Sequence, residues 1–261
     1  MPDAQPIRYE VENGIATITI DRPERKNALS VEAMNGLTDA WLRADSDETA
    51  RVVILTSADC GVFSAGLDLR QAAEIRARDG IDILSLMRDP MQATMRRVSK
   101  PIIAAMTGSL MAGGMLLALK CDLRVGLRDT RVGITEVKMG RGSPWAVPLL
   151  WMLPQPIVMQ LVLTGETMPI EDLAAYGFVN ALEETPDAVR ARARKLAEKI
   201  VEGAPLSVKA AKASVLAAMD LGCEQGLIEA GRLHEVVYAS EDAIEGPKAF
   251  AEKRKPRWQG R

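Results

Sequence analysis

Three stretches of the chain hold residues able to do chemistry: "FSAGLDLR" at 63–70, "AMTGSLMAGG" at 105–114 and "VGITEVKMGRGSP" at 132–144. Each of the first two sets a glycine turn just ahead of a helix start, where first-turn N–H groups have no partner within the helix. The third carries a lone carboxylate, Glu136. Two N–H donors can hold a carbonyl oxygen as it becomes an enolate while a carboxylate moves the neighbouring proton, so the set points to acyl-group chemistry. A plainer reading of the first turn also stands: Gly66 makes a tight turn and Asp68 caps the helix that follows.

Other chemistries find little support. No G-x-G-x-x-G follows a strand, no Walker loop is present and no His/Cys/Asp cluster has metal spacing, so neither a bound metal nor a prosthetic group is expected. The single histidine, His234, is the only candidate base for a Ser-His or Cys-His pair, and "EAGRLHEVVY" places it on a helix. Cys60, Cys121 and Cys223 are odd in number and far apart, which fits reduced, buried side chains. With 26% charged residues and a net charge of −2, the chain has no excess of basic residues for nucleic acid or an acidic membrane surface. "MPDAQPIRYE" has neither the basic patch and apolar stretch of a secretory leader nor the basic richness of a transit peptide, so a cytoplasmic protein is the expectation.

The elements that must position these turns are legible in the pattern. "IRYEVENGIATITID" is two alternating runs joined at Asn13-Gly14, a hairpin. Ser30 caps a helix whose apolar side comprises Met34, Leu37, Trp41 and Leu42. "RVVILTS" reads as a strand buried on both faces, which calls for a sheet covered by helices. Residues 101–119 lack charge, but Pro101, Gly108, Gly113 and Gly114 break them into pieces too short to span a bilayer. The segments 51–68 and 100–122 share one plan of strand, glycine turn and helix start, as in a winding β/α core. From about Pro156 the pattern is almost wholly helical, and Arg190, Arg192, Arg194, Lys195 and Lys199 fall where a solvated helix face is expected.

"FSAGLDL", "KPIIAAMTGSLMAGGMLLALKCDLRV" and "VGITEVKMG", in this order and spacing, resemble the crotonase superfamily of enoyl-CoA hydratases and isomerases. "IDRPERKNALS", "LTGETMPIEDLAAYGFVN" and "AFAEKRKPRW" extend the resemblance over nearly the whole chain. It implies an α/β fold: a spiral of ββα units, placed at 1–200, then a C-terminal helical trimerisation region at 201–261. It also implies a homotrimer or dimer of trimers acting on an acyl-CoA, with the substrate carried as a coenzyme A thioester. By the family pattern the backbone N–H groups of Leu67 and Gly113 form the oxyanion hole and Glu136 is the acid/base. Arg25, Lys26, Ala65, Gly66 and Asp68 would border the coenzyme A channel, and Phe250 and Lys253 match tail positions able to reach a neighbouring subunit's coenzyme A. Surface charge accounts equally for Arg25, Lys26 and Lys253.

The sequence departs from the pattern in two places. Relatives with two glutamates carry the first one three residues after the oxyanion glycine, and here that position is Leu116. The usual Pro-Gly-Ala-Gly-Gly turn is replaced by "RGSPWAVP", so Trp145 and the prolines are expected to reshape the acyl pocket. A single carboxylate opposite an apolar position suits a proton shuttle, which makes double-bond isomerisation the expected reaction. Hydration by the one glutamate, or a non-catalytic scaffold binding a CoA thioester or RNA, stand as alternatives. An ion pair between Glu136 and Lys138 or Arg141 is the structural reading of that carboxylate.

Overall fold

A computed structural model describes residues 5–261, so residues 1–4, part of the segment read for a leader, lie outside it. Asn13 and Gly14 both take left-handed backbone (φ 52° and 80°), the combination required by a primed two-residue turn, and join β1 (Ile7–Glu12) to β2 (Ile15–Ile20) in the expected hairpin. The Ser30 hydroxyl accepts from the Ala33 N–H and opens α1 (Val31–Ser46). Met34, Leu37 and Trp41 are buried as expected, but Leu42 is 55% exposed because it falls on the edge of the apolar stripe.

The winding core follows. β3 (Val52–Ser57), β4 (Val62–Ser64) and α2 (Leu69–Asp79) form one unit; α3 (Ala93–Arg97) then leads to β5 (Ile102–Met106), β6 (Ser109–Met111) and α4 (Gly113–Lys120). β7 (Leu123–Leu127), β8 (Arg131–Gly133), α5 (Gln155–Thr164), β9 (Thr167–Pro169), α6 (Ile170–Ala175) and β10 (Ala181–Glu183) complete it. Six strands make one sheet in the order β1-β2-β3-β5-β7-β10, parallel except for the first hairpin. Four three-residue strands make a second sheet, β4-β6-β8-β9.

β9 and β10 correct the reading of everything after Pro156 as helical. Each has only three residues, too few for a period-2 pattern to stand out, and β10 is recruited by pairing with β7.

The continuous apolar run in β3 has a simple cause. Val53 and Leu55 face the core that includes α1 and the second sheet, while Val52 and Ile54 pack under α7 (Pro186–Val201) against Val189, Ala193 and Ala197. Both faces of the strand are therefore dry. The basic side of α7 is tied down by ion pairs, Arg194 to Glu12 and Lys199 to Glu202 among them, as a solvated face should be. α8 (Pro205–Leu221) and α9 (Cys223–Tyr238) form an antiparallel helical pair, followed by α10 (Glu241–Ala251). Large apolar side chains stand open on these helices, including Leu227 (70% exposed), Tyr238 (77%) and Ile244 (74%). Cys121 is buried, but Cys223 is exposed at the start of α9, against expectation, because the α8–α9 turn carries it away from the core.

Candidate active site

The two glycine turns meet. Gly66 has φ +81°, and a Cβ built there would lie 2.8 Å from the Met111 carbonyl oxygen and 2.9 Å from the Gly113 nitrogen. A Cβ on Gly113 would lie 3.7 Å from the Leu67 nitrogen. The chain segments at 66–67 and 112–113 thus pass in van der Waals contact, and no side chain fits between them at position 66.

Local bonds hold each turn open toward the cavity. The Ser64 hydroxyl donates to the Asn27 carbonyl and accepts from the Gly66 N–H. The Leu29 N–H donates to the Gly66 carbonyl (2.7 Å) and the Asp68 N–H to the Leu29 carbonyl (3.1 Å). This clasp on either side of Leu67 leaves the Leu67 N–H itself with no acceptor among the described residues. Gly113 is the first residue of α4, so its N–H has no helical partner, and it too donates to nothing among the described residues. The α4 dipole adds positive potential at that end. Just before it, Ala112 takes φ 50° and ψ −116°, a conformation a Cβ disfavours; the backbone is strained where it aims the second N–H.

Both donors line a cavity of about 100 Å³ together with Glu136, Leu116, Trp145, Leu29, Met34 and Met91. Glu136 opens a 3-10 turn (Glu136–Met139). Its Oε1 accepts from the Trp145 Nε1–H at 3.1 Å, while Oε2 is buried with no partner among the described residues. An orphaned buried carboxylate oxygen is costly and is retained where chemistry uses it. Burial pushes the Glu136 carboxyl above its ordinary value, and its own backbone N–H, the Trp145 bond and the nearby Arg141 charge pull it back only in part. The ion pair weighed for Glu136 does not form: Arg141 instead makes a two-point bond to Asp82 across the rim (2.9 and 3.1 Å), and Lys138 makes none with it. Leu116 is 3% exposed, so nothing polar stands at its position.

The remaining expected residues fall in two places. Arg25, Lys26, Ala65 and Asp68 adjoin the first turn. Asp68 is 4% exposed; it caps α2 through the Gln71 N–H and pairs with Arg22 and Arg25 at 3.1 Å each. Burial raises its pKa, but the Gln71 N–H and the two guanidinium groups outweigh that and hold the carboxyl below the usual range. Arg25 is thereby fixed in place, Lys26 is exposed, and the Ala65 N–H is already given to the Lys26 carbonyl at 3.1 Å. Phe250 (87% exposed) and Lys253 lie at the end of α10 and do not line the cavity. His234 sits on α9, its Nδ1 2.8 Å from the Ala230 carbonyl, outside the cavity.

Two supports escaped the sequence. Asn27 is wholly buried and its amide donates to the Ala58 and Val62 carbonyls, pinning the loop before Leu29. Trp145 was legible only as pocket bulk. Its bond to Glu136 spans nine positions across an irregular loop, a spacing with no periodic signature.

The enoyl-CoA hydratase/isomerase family model matches residues 10–261. The chain belongs to the enoyl-CoA hydratase/isomerase family. An (E)-benzylidenesuccinyl-CoA hydratase of Thauera aromatica is 37% identical over 98% of this chain and 99% of its own. A carnitinyl-CoA dehydratase of Salmonella arizonae is 35% identical with the same coverage. Among solved structures, an enoyl-CoA hydratase from Mycobacterium tuberculosis H37Rv superposes with a TM-score of 0.86 at 37% identity, covering 99% of this chain and all of that one. One from Bacillus anthracis reaches 0.90 at 27% identity over 98% of this chain. The fold is therefore the crotonase fold, and the protein is an acyl-CoA enzyme of the hydratase/isomerase type.

Proposed function

We propose that the protein adds water reversibly to a 2-enoyl-CoA, with Glu136 as its only acid/base. The observation that carries the reading is the unpartnered, buried Glu136 Oε2 in a cavity that also presents two free backbone N–H groups. Water held at Glu136 attacks C3 and gives its proton to the carboxylate. The thioester oxygen takes the negative charge and is held by Leu67 and Gly113 N–H, donors that need no reorganisation. Glu136 then delivers its proton to C2, so that one water is added across the double bond. Trp145 keeps one carboxylate oxygen occupied and leaves the other for the proton.

The names of the full-length relatives, a hydratase and a dehydratase, weight hydration over isomerisation. Isomerisation is the second reading, favoured by Leu116: with no second carboxylate to hold water, Glu136 would take a proton from C2 of a 3-enoyl-CoA and return it at C4. The test is the product ratio by mass spectrometry in labelled water, offering a short 2-enoyl-CoA and its 3-enoyl isomer. Hydration outpacing isomer exchange supports the first reading; the reverse order replaces it.

Coenzyme A would lie along Arg25, Lys26 and the Ala65 carbonyl, beside Gly66 and above the Asp68 pairs. The open apolar faces of the helices after residue 201 would be covered in an assembly built on trimers, which would also bring Phe250 and Lys253 to a neighbour's coenzyme A. Light scattering that finds only monomer at micromolar concentration would refute that assembly.

A further inference from the structure

One cation stands on the wall of the cavity at Glu136. Among the described residues that line it, Arg141 is the only positively charged side chain and Glu136 the only negatively charged one; Thr135 and Trp145 aside, the other side chains are apolar, Leu84, Met91 and Met139 among them. A neutral acyl group has no use for a guanidinium, and a charge against apolar walls is disfavoured unless something answers it. The Arg141 backbone N–H donates to the Glu136 carbonyl at 3.0 Å, so the loop that presents the carboxylate also fixes the base of the arginine. The guanidinium is near enough for its charge to lower the Glu136 pKa. Asp82 answers only part of it. Nη1 donates to Oδ2 at 3.1 Å and Nη2 to Oδ1 at 2.9 Å, which leaves the Nε–H and one N–H on each terminal nitrogen with no acceptor among the described residues. Asp82 does not itself line the cavity, and its side chain is 52% exposed; an ion pair open to that degree contributes little to the fold. Asp82 also caps the 3-10 turn Ile83–Leu86 through the Leu84 N–H (2.9 Å), so it is held from its own side of the rim.

We infer that Arg141 recognises a second anionic group on the substrate: the protein takes an acyl-CoA whose acyl part carries a free carboxylate, which accepts from the N–H groups that Asp82 leaves unused. The inference rests on the acyl-CoA reading above and adds the substrate class to it. Two observations carry it: a lone cation on an otherwise apolar wall beside Glu136, and unspent donors on that cation although an aspartate already holds it. The planar fork of a guanidinium matches a carboxylate in two-point geometry, which a neutral group of the same shape does not reproduce. Asp82 has two opposed effects in this arrangement. It holds the guanidinium at the rim and, as a like charge beside the incoming carboxylate, weakens its pull.

The experiment compares kcat/KM for 2-enoyl-CoA substrates of five and six carbons that end in a carboxylate with the same acyl groups ending in the isosteric primary amide, in the wild type, Arg141→Gln and Asp82→Asn. Dissociation constants of the corresponding saturated thioesters are measured in parallel. Asparagine at 82 keeps an oxygen for the Leu84 N–H and loses only the charge, and glutamine at 141 keeps the backbone bond to Glu136. The expected result is a wild type that prefers carboxylate over amide by about tenfold or more at one of the two lengths, a ratio near unity in Arg141→Gln, and a ratio raised about threefold or more in Asp82→Asn. The opposite signs of the two variants separate recognition from bracing. Equal losses on carboxylate and amide in both variants would make the pair a brace across the rim, and equal losses in Arg141→Gln alone would put the arginine on a phosphate of coenzyme A; either result overturns the assignment. So does a wild type without the carboxylate preference, or a preference that survives Arg141→Gln. Absence of turnover with every substrate refutes the hydration reading, a separate failure, and the ratio of thioester dissociation constants then decides the assignment of Arg141 by itself.

Discussion

Replacing Trp145 by phenylalanine removes one hydrogen bond and little else from the cavity at Glu136. In the wild type the indole N–H stabilises the charged form of Glu136 against the burial that disfavours it. A hydrogen bond to a charged group is worth about 1.5–3 kcal/mol, and a single bond from a neutral donor at 3.1 Å takes the lower end. At about 1.4 kcal/mol per factor of ten, Trp145→Phe should lower the ionisation constant of Glu136 by about tenfold. A base must be ionised to accept a proton, so the acid limb of the kcat/KM profile moves to higher pH. Turnover at pH below the limb falls by about tenfold, and much of it returns at pH above the limb. The assay is initial-rate hydration of a four-carbon 2-enoyl-CoA over a pH series, with KM and kcat separated. A limb that stays in place while activity falls equally at every pH would show Trp145 to be packing only, and would refute the positioning role.

Gly66→Ala places a Cβ within 2.9 Å of the Gly113 nitrogen at a positive φ, so it should cost about 10²-fold in kcat with a smaller change in KM; unchanged kcat in a folded variant would contradict the paired donors. Asp68→Asn strips Arg22 and Arg25 of their partner and should destabilise the fold by about 2 kcal/mol in urea. Because the Asp68 pKa is depressed, its contribution is present above the ordinary aspartate range and lost as pH falls through the folded value, so the variant's deficit should shrink in acid; a deficit constant with pH would contradict the pairing. Ala112→Gly relieves the φ 50° backbone and should gain about 1 kcal/mol of stability with activity kept, as read by thermal unfolding and hydration rate; a loss of stability would show the Cβ to be needed.

The parts of this molecule that repeat, or that obey one period, were open to sequence reasoning. The Asn13-Gly14 turn, the Ser30 cap and the doubly buried Val52–Leu55 run follow from φ preference, capping and burial, all local causes. The two glycine turns were legible because a glycine ahead of a helix leaves free N–H groups wherever it occurs. The second sheet was not, since β4, β6, β8 and β9 are each three residues long and owe their existence to neighbours far along the chain. The same holds for Trp145 on Glu136 and for Arg141 on Asp82, contacts between irregular segments that no spacing encodes.

The central claim is that Glu136 alone moves the proton while Leu67 and Gly113 hold the enolate. Glu136→Gln keeps the shape and the Trp145 contact but removes the proton carrier. Its effect on stability has a fixed sign: the raised pKa favours folding below the ordinary glutamate range and is lost as pH rises through the folded value, so the variant should be no less stable than the wild type at neutral pH. The decisive measurement is deuterium incorporation at C2 during hydration of a four-carbon 2-enoyl-CoA in D₂O, alongside the dissociation constant of a non-reactive CoA thioester. The account predicts one C2 deuteron per turnover in the wild type, with exchange and hydration both slower by about 10²-fold or more in Glu136→Gln and thioester affinity unchanged. A folded Glu136→Gln protein that labels C2 within a few-fold of the wild-type rate would contradict it.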